Sequence, residues 1–279
     1  MSYKIVVDSC CELPEEYKND PRFQRIPLGI QVGDWQIQDD ETFDQAEFLK
    51  KVAETSECPK SSCPSPEAFM QSFRTEAERV YVITLSAALS GSHNSAVLGK
   101  NLYEEAYPAK NIHIVDSQSA SCGETQIAMK AMELEESGKY SFEEIVQKLE
   151  DFRDKMVTYF VLDNLDILRK NGRLTGVKSL VASTLNIKPI MQGDKGQIAQ
   201  AGQAIGIKKA LGRMTDLVVE KMEKTEERIL MITHCNNLKR AETVRDMILK
   251  KAKFKAVSIM DTAGISSLYA ADGGVIVTV

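Results

Sequence analysis

Two hydroxyl-rich stretches carry the side chains that could bind a small acid. Residues 60–66 read K-S-S-C-P-S-P, and residues 85–96 read L-S-A-A-L-S-G-S-H-N-S-A directly after a strand pattern. Both stretches lead into helical patterns. Helix N-termini and the loops at the carboxyl ends of parallel strands favour anions, because they offer free N–H groups and a positive dipole end. Ser90 and Ser92 would add hydroxyl donors, and Gly91 would let the backbone approach a bound oxygen closely.

The same serines also have a structural explanation as helix caps and turn residues. Ser65 precedes Pro66, which is typical of an N-cap followed by proline at the first helical position, so we predict a cap there. For residues 90–92 both explanations stay open, because one N-cap does not require Ser-Gly-Ser together with Asn94. His93 and His234 are predicted to be structural, at a first helical turn and at a strand end.

The elements that position these stretches follow an alternating pattern in the first half of the chain. Apolar runs at residues 4–7, 80–85 and 112–115 predict short buried strands, with helices between them. Capping boxes are indicated at Ser141 to Glu144 and, more weakly, at Thr42 to Gln45. This alternation predicts a mostly parallel sheet covered by helices, and Gly33-Asp34 between two short runs predicts a hairpin.

The second half predicts strands at 156–162, 186–191, 229–233, 256–260 and 274–279. A turn at 193–196 predicts another hairpin, and two helical patterns each place their apolar residues on one face. The fold class is therefore α/β, with one domain over residues 1–156 and a second over 157–279. No Pro/Gly/Ser linker separates them, so we expect closely packed halves with a ligand cleft between them.

Composition and charge limit the functions that the protein could have. Its 279 residues are 43% hydrophobic, which is enough for two cores, and its net charge of -5 includes no long basic run. Neither nucleic acid nor an anionic membrane surface is therefore an expected partner. No run reaches the ~18 apolar residues of a membrane span, and the start lacks a signal-peptide pattern. We expect a cytoplasmic protein with no integral membrane association.

The six cysteines are scattered along the chain and predict reduced thiols. Cys58 and Cys63 are too far apart for a CxxC pair, and the three histidines are distant from one another in sequence. We therefore expect no metal site and no cofactor.

Several ordered motifs resemble those of the DegV family over the whole chain. The first strand ends in Asp8-Ser9, residues 61–65 (S-S-C-P-S) match the family's T-S-Q-P-S motif, and residues 89–96 (L-S-G-S-H-N-S-A) match its L-S-G-T-Y-x-S-A motif. Asp116-Ser117 follows the third strand, and residues 168–174 (L-R-K-N-G-R-L) resemble the family's L-x-K-G-G-R segment. The resemblance implies a Rossmann-like N-terminal domain with a parallel sheet, a smaller C-terminal two-layer α/β domain with a mixed sheet, and a long-chain fatty acid between them.

The resemblance also assigns residues to the fatty acid carboxylate: Ser61, Ser62, Ser90, Gly91, Ser92 and Asn94. Of these, Ser61 and Ser90 are the main hydroxyl donors. Ser266 stands where the family often has histidine, and it can donate a hydrogen bond but brings no positive charge. Arg173 follows Gly172, which looks like a helix C′ residue beside which a cation is favourable. The resemblance instead implies that Arg173 lies at the cleft mouth or docks a partner kinase.

The function implied by the resemblance is binding without catalysis. The protein would hold a long-chain fatty acid in a buried interdomain tunnel and present its carboxylate to an ATP-dependent fatty acid kinase subunit. A chain of about 14 methylenes at ~0.8 kcal/mol each offers roughly 11 kcal/mol, before several kcal/mol of association costs. The tail would therefore supply affinity, and the carboxylate contacts mainly position.

Three other functions stay open at this level. A serine-dependent lipid hydrolase needs a nucleophile with a positioned base, but the chain has no G-x-S-x-G motif and only three histidines. A small-molecule kinase subunit would bind ATP, but no Walker-type G-x-x-x-x-G-K-[ST] motif is present. A DNA-binding regulator is disfavoured by the acidic balance of charges.

Overall fold

The computed structural model describes residues 2–174 and 186–279, in which strands and helices alternate. The strands up to residue 174 are β1 (Tyr3–Asp8), β2 (Phe23–Ile26), β3 (Gly29–Val32), β4 (Trp35–Gln38), β5 (Lys60–Ser62), β6 (Arg79–Thr84), β7 (Asn111–Asp116) and β8 (Thr158–Val161). The helices of this range are α1 (Gln45–Glu54), α2 (Pro66–Ser72), α3 (Ser92–Ala106), α4 (Cys122–Glu136), α5 (Phe142–Lys155) and α6 (Asp166–Lys170).

The strands from residue 186 onwards are β9 (Ile187–Asp194), β10 (Gln197–Ile205), β11 (Ile229–His234), β12 (Ala256–Asp261) and β13 (Val275–Thr278). The helices of that range are α7 (Ile207–Lys221), α8 (Leu238–Leu249) and α9 (Gly264–Ala270). Short 3₁₀ turns lie at Glu15–Tyr17 and Thr225–Glu227. No helix in the described ranges is long and apolar enough to cross a lipid bilayer.

A parallel sheet in the order β2-β1-β6-β7 organises the N-terminal half. Successive residues of β1 are buried on opposite faces of it. Ile5 and Val7 pack with side chains of α4 and α5, whereas Val6 packs with Phe69 of α2 and Ala96 of α3. Both faces are therefore covered, which explains why these strands are almost continuously apolar in sequence.

A mixed sheet in the order β10-β9-β8-β13-β11-β12 organises the C-terminal half, with β11 and β12 parallel and the other neighbours antiparallel. One face is covered by the apolar sides of α7 and α8, as the sequence predicts. Helix α4 of the N-terminal half contacts β11 and β13 from the opposite side. There the Cys122 thiol donates to the Met231 carbonyl, and the Gln126 side chain donates to the Ile229 carbonyl. The two halves are thus packed directly against each other.

A small antiparallel sheet in the order β4-β3-β5 stands beside the parallel sheet. The predicted hairpin between β3 and β4 is confirmed, and Gly33 turns it with a φ of +57°. Strand β5 lies within residues 60–66, outside the strands that the sequence predicts, and it pairs with β3. Because β5 is short and polar, its strand conformation comes from this distant pairing rather than from its own composition.

The predicted fold class is confirmed: a parallel-sheet α/β half is followed by an α/β half with a mixed sheet. The Ser65 cap, the Ser141 capping box and the β9–β10 hairpin are confirmed as well. The capping box at Thr42 is wrong, because Asp44 caps α1 by accepting from the Glu47 N–H. The domain limits 1–156 and 157–279 stay a prediction.

Candidate functional site

A cavity lies where the carboxyl ends of the parallel strands meet the mixed sheet. It contains about 810 Å³ of atom-free space and is partly open to solvent. The loops that follow β1, β6 and β7 form one wall, and β8, β9, β10, β13 and α9 contribute the others.

Most of the cavity wall is apolar. Its larger apolar side chains include Leu85, Phe160, Leu162, Ile198, Ile265 and Ile276. The first five of these are buried, so this part of the wall lies inside the protein rather than on its surface. Such a slot removes alkyl groups from water and is therefore suited to a hydrocarbon chain.

One part of the wall is polar, and there Tyr269 contacts both Ser61 and Arg173. The Ser61 and Tyr269 hydroxyls are 2.8 Å apart, and the Arg173 guanidinium lies 5.6 Å from the centroid of the Tyr269 ring. Ser90 lines the cavity too. We call Ser61, Ser90, Arg173 and Tyr269 the acid end, because three hydroxyls and a guanidinium are the donors that a carboxylate accepts from.

The geometry of β5 explains why Ser61 faces the cavity and Ser62 does not. Successive side chains of a strand point to opposite faces. Ser62 is paired with Gly29 of β3, and a Cβ on Gly29 would lie 2.4 Å from the Ser62 hydroxyl oxygen. Ser62 is therefore packed over a neighbouring strand, and Gly29 makes room for it.

Arg173 reaches the cavity because of the way in which α6 ends. Gly172 has a φ of +74°, its N–H donates to the Arg169 carbonyl, and the Arg173 N–H donates to the Leu168 carbonyl at 2.9 Å. This is a Schellman motif, so the predicted C′ role of Gly172 is confirmed. The Arg173 side chain then donates from Nε to the Leu89 carbonyl at 3.2 Å.

Ser90 and Ser92 have different surroundings although only Gly91 separates them. The Ser90 hydroxyl accepts from the Ser92 N–H at 3.2 Å and lines the cavity. Ser92 is fully buried at the start of α3, and its hydroxyl donates to the Asp8 carboxylate at 2.5 Å. The Asp8 carboxylate also accepts from the Leu85 N–H. It thus links the end of β1 to the residue after β6 and, through Ser92, to the start of α3.

The structure brings four of the predicted site residues to the cavity wall: Ser61, Ser90, Arg173 and Ser266. Their contact with a ligand stays a prediction. The other four do not line the cavity: Ser62, Gly91, Ser92 and Asn94. Ser62 and Ser92 have the packing roles given above, a Cβ on Gly91 would lie 3.0 Å from the Cys63 sulfur, and Asn94 is exposed on α3. The roles of these four residues as ligand contacts also stay predictions.

Sequence reasoning missed Tyr269, although Ser266 stands three residues before it. The two residues lie on the same side of α9, since positions i and i+3 of a helix are neighbours. Ser266 is buried and its hydroxyl contacts Cys10, whereas Tyr269 reaches Ser61. This spacing identifies the pair only if α9 is predicted as a helix. Because α9 has only seven residues and no side-chain cap, it has little signature in the sequence.

Buried carboxyl groups lie behind the cavity wall. Burial raises the pKa of Glu12 to about 7, and it raises the pKa values of Asp8 and Asp39 as well. Burial raises the pKa of Glu124 well above its usual value, and neither of its carboxyl oxygens has a hydrogen-bond partner among the described residues.

The cavity and its surroundings also bear on catalysis and metal binding. Within residues 2–174 and 186–279, no histidine lines the cavity. The same ranges contain no cluster of three or more side chains that could hold a metal ion. All six cysteines are free, and the two that are most exposed are Cys58 and Cys63.

The sequence matches the model of the DegV family, described as uncharacterised proteins, over residues 2–277. It is 34% identical to a DegV domain-containing protein of Streptococcus gordonii, over 99% of this chain and 98% of that protein. A DegV-family crystal structure from Ruminococcus gnavus, refined with vaccenic acid, is similar with a TM-score of 0.97 and 53% identity, covering 100% and 99% of the two chains. The Fatty Acid Kinase (Fak) B3 protein of Streptococcus pneumoniae, loaded with linoleic acid, is similar with a TM-score of 0.88 and 32% identity, also covering 100% and 99%.

Proposed function

This chain belongs to the DegV family, and from that premise we propose that it binds a long-chain fatty acid in the cavity between its two halves without catalysing a reaction on it. The observation that carries the proposal is an enclosed apolar slot with hydroxyls and a guanidinium at one end. Vaccenic and linoleic acids, held by the two similar structures, have this same division into a long tail and an acid group.

The tail would supply most of the affinity. About 14 buried methylenes at ~0.8 kcal/mol each give roughly 11 kcal/mol before the costs of association are subtracted. Phe160, Leu162 and Ile198 are lining side chains from the C-terminal half, while Leu85 and Ala120 face them from the N-terminal half. Binding would therefore add apolar contacts between the two halves.

The acid end would fix the position of the carboxylate. Ser61, Ser90 and Tyr269 can each donate a hydroxyl hydrogen, and Arg173 supplies the positive charge that makes a hydrogen bond to a carboxylate stronger. The Tyr269 ring and the Leu89 carbonyl hold the guanidinium beside the cavity. Ser266 is a further donor on the same side of α9 as Tyr269.

We also propose that the bound acid is presented to an ATP-dependent fatty acid kinase subunit, with Arg173 at the mouth as a docking residue. The name of the similar Streptococcus pneumoniae protein, Fatty Acid Kinase (Fak) B3, supports this part of the proposal. Arg173 is partly exposed, so a partner can reach it. Because such a kinase uses ATP, the proposal places the protein in the cytoplasm.

Lipid analysis tests the binding proposal. Protein purified from a bacterial host should release about one long-chain fatty acid per chain on organic extraction, as measured by mass spectrometry, and delipidated protein should take up oleate on titration. Protein that releases no fatty acid and takes up none would refute the proposal.

Reconstitution tests presentation separately from binding. The loaded protein, ATP and the ATP-binding subunit of a bacterial fatty acid kinase should together form acyl phosphate, and omitting any component should abolish the product. If loaded protein yields no acyl phosphate in the complete mixture, presentation to a kinase is refuted while binding stands.

A further inference from the structure

Strand β8 marks the direction in which the cavity continues away from the acid end. Thr158, Phe160 and Leu162 alternate along β8 and the residue after it, and all three line the cavity. Cavity-facing side chains of one strand are about 6.6 Å apart, so Thr158 lies about 13 Å from Leu162. Leu162 is on the side of α9, because a Cβ on Gly274 would lie 2.9 Å from both Leu162 and Ala270. Thr158 is therefore remote from the acid end.

We call Gln118, Ser119, Thr158 and Gly193, which line the cavity together in this remote part, the tail end. The Ser119 and Thr158 hydroxyls are 2.7 Å apart and bond to each other across the two halves. Each thus has a partner within the protein. Arg173 is the only charged side chain that lines the cavity within the described residues, and it lies at the acid end. The tail end therefore suits a methyl group, which needs no hydrogen-bond partner when it is buried.

A thin wall separates the tail end from an outer groove. Gln118, Thr158 and Gly193 line both the cavity and this groove, so a single layer of residues lies between the two spaces. The groove carries exposed charged side chains, among them Lys155 and Lys195. A hydrocarbon chain that passed the wall would enter this charged groove, where little of its surface is removed from water. The wall therefore limits the length of chain that the cavity can bury.

Gly193 leaves free space in this wall beside Thr158. In the register of β8 and β9, Tyr159 pairs with Gln192. Gly193 is therefore opposite Thr158, on the same face of the sheet. A Cβ on Gly193 would lie 3.6 Å from the Thr158 Cβ and 3.8 Å from the Gln118 carbonyl oxygen, which is ordinary van der Waals contact. Gly193 has no positive φ, so the backbone does not require glycine at this position.

We propose that Gly193 is a specificity-determining residue, whose missing side chain sets how long a fatty acid tail the cavity accepts. This inference rests on the proposed function. When the carboxylate is held at the acid end, the last methylenes of a long acid reach the wall beside Thr158. A side chain at position 193 would occupy that space and exclude these methylenes. A short acid would not reach the wall and would bind as before.

Competition between saturated acids of different length tests this inference. Delipidated protein is equilibrated with an equimolar excess of myristate, palmitate and stearate, and the bound acids are measured by mass spectrometry. In Gly193→Val the ratio of bound stearate to bound myristate should fall roughly tenfold, which corresponds to the loss of about two buried methylenes. This ratio is insensitive to changes in the carboxylate contacts or in the fraction of folded protein, because both affect all three acids equally.

Gly202→Val is the matched control. Gly202 lies in β10, does not line the cavity and also has no positive φ. A Cβ there would lie 3.7 Å from the Ile190 Cδ1, which is a contact of the same kind. This variant should keep the wild-type ratio. Thr158→Ala should raise the ratio of stearate to myristate about threefold, because it shortens a side chain of the wall.

Gly193→Ala is the substitute if Gly193→Val does not fold, and its ratio should fall roughly threefold. A folded Gly193 variant with the wild-type ratio would overturn the inference. A Gly202→Val protein whose ratio fell as far as that of Gly193→Val would overturn it too. Wild-type protein that retains none of the three acids would instead overturn the proposed function.

Discussion

One polar region lines the cavity and another lies behind its wall, and the two differ in how their hydrogen-bonding groups are used. At the acid end, Ser61, Ser90 and Arg173 are partly exposed, and each retains donors or acceptors that a ligand could use. Behind the wall, Asp8 and Asp39 are fully buried and accept from donors fixed by the fold. Residue type alone therefore does not distinguish a ligand-binding group from a structural one. The hydrogen-bond partners that a group already has within the fold do distinguish them.

The same contrast is repeated on a smaller scale in the loop before α3. Ser90 and Ser92 are both serines of one motif, yet Ser90 faces the cavity and Ser92 donates to a buried carboxylate. Substitutions that remove the same kind of polar group should therefore have different effects in the two regions. Behind the wall they should lower stability, and at the acid end they should lower ligand affinity.

The largest effect is expected behind the wall, at Asp39. Asp39→Ala should lower the free energy of unfolding by about 3–5 kcal/mol, because it leaves the buried N–H groups of Gly264 and Ile265 without partners and Arg25 without its counter-charge. Denaturant unfolding measures this loss. Glu41→Ala, at an exposed position nearby, should change stability by less than about 0.5 kcal/mol. Equal stabilities of the two variants would show that the buried carboxylate does not hold α9.

Intermediate effects are expected from substitutions of Ser92, on stability, and of Ser90, on oleate affinity. Ser92→Ala should cost about 2 kcal/mol of stability, because the buried Asp8 carboxylate loses a donor. Ser90→Ala should leave stability nearly unchanged and weaken oleate binding roughly fivefold, equivalent to about 1 kcal/mol for one hydrogen bond. Thermal unfolding and oleate titration of both variants give the two quantities.

Ser65→Ala is the control for this pair. It removes the cap on α2, so it should cost about 1 kcal/mol of stability without changing oleate affinity. If Ser65→Ala and Ser90→Ala weakened oleate binding equally, the acid end would have been placed in the wrong loop.

The smallest effect is the difference in oleate affinity expected between substitutions of Ser61 and Ser62, which are neighbours in β5. Ser61→Ala should weaken oleate binding by roughly threefold, because Tyr269 remains as a donor beside the lost hydroxyl. Ser62→Ala should leave binding unchanged, since its side chain packs over Gly29. Titration of the two single variants in parallel distinguishes them, and a larger effect at Ser62 would mean that β5 presents its other face to the ligand.

The sequence predicted the features that depend on neighbouring residues. The Ser65 cap, the Ser141 capping box, the hairpin at Gly33 and the C′ role of Gly172 each arise from contacts within a few positions of the chain. The Thr42 box failed at the same short range because Thr42 bonds to Asp40 instead. Buried parallel strands were visible for a related reason, since burial on both faces requires nearly every residue to be apolar.

Only the tertiary structure decided which polar residues reach the cavity. The Ser61–Tyr269 contact joins positions 208 residues apart, and the hydrogen bond from the Ala263 N–H to the Glu12 carboxylate joins positions 251 apart. Such pairings depend on strand register and on how the two halves pack, which no local pattern records. Composition and motifs therefore determined the fold class and the family resemblance of this chain. The choice between Ser61 and Ser62, or between Ser90 and Ser92, required the three-dimensional placement of their partners.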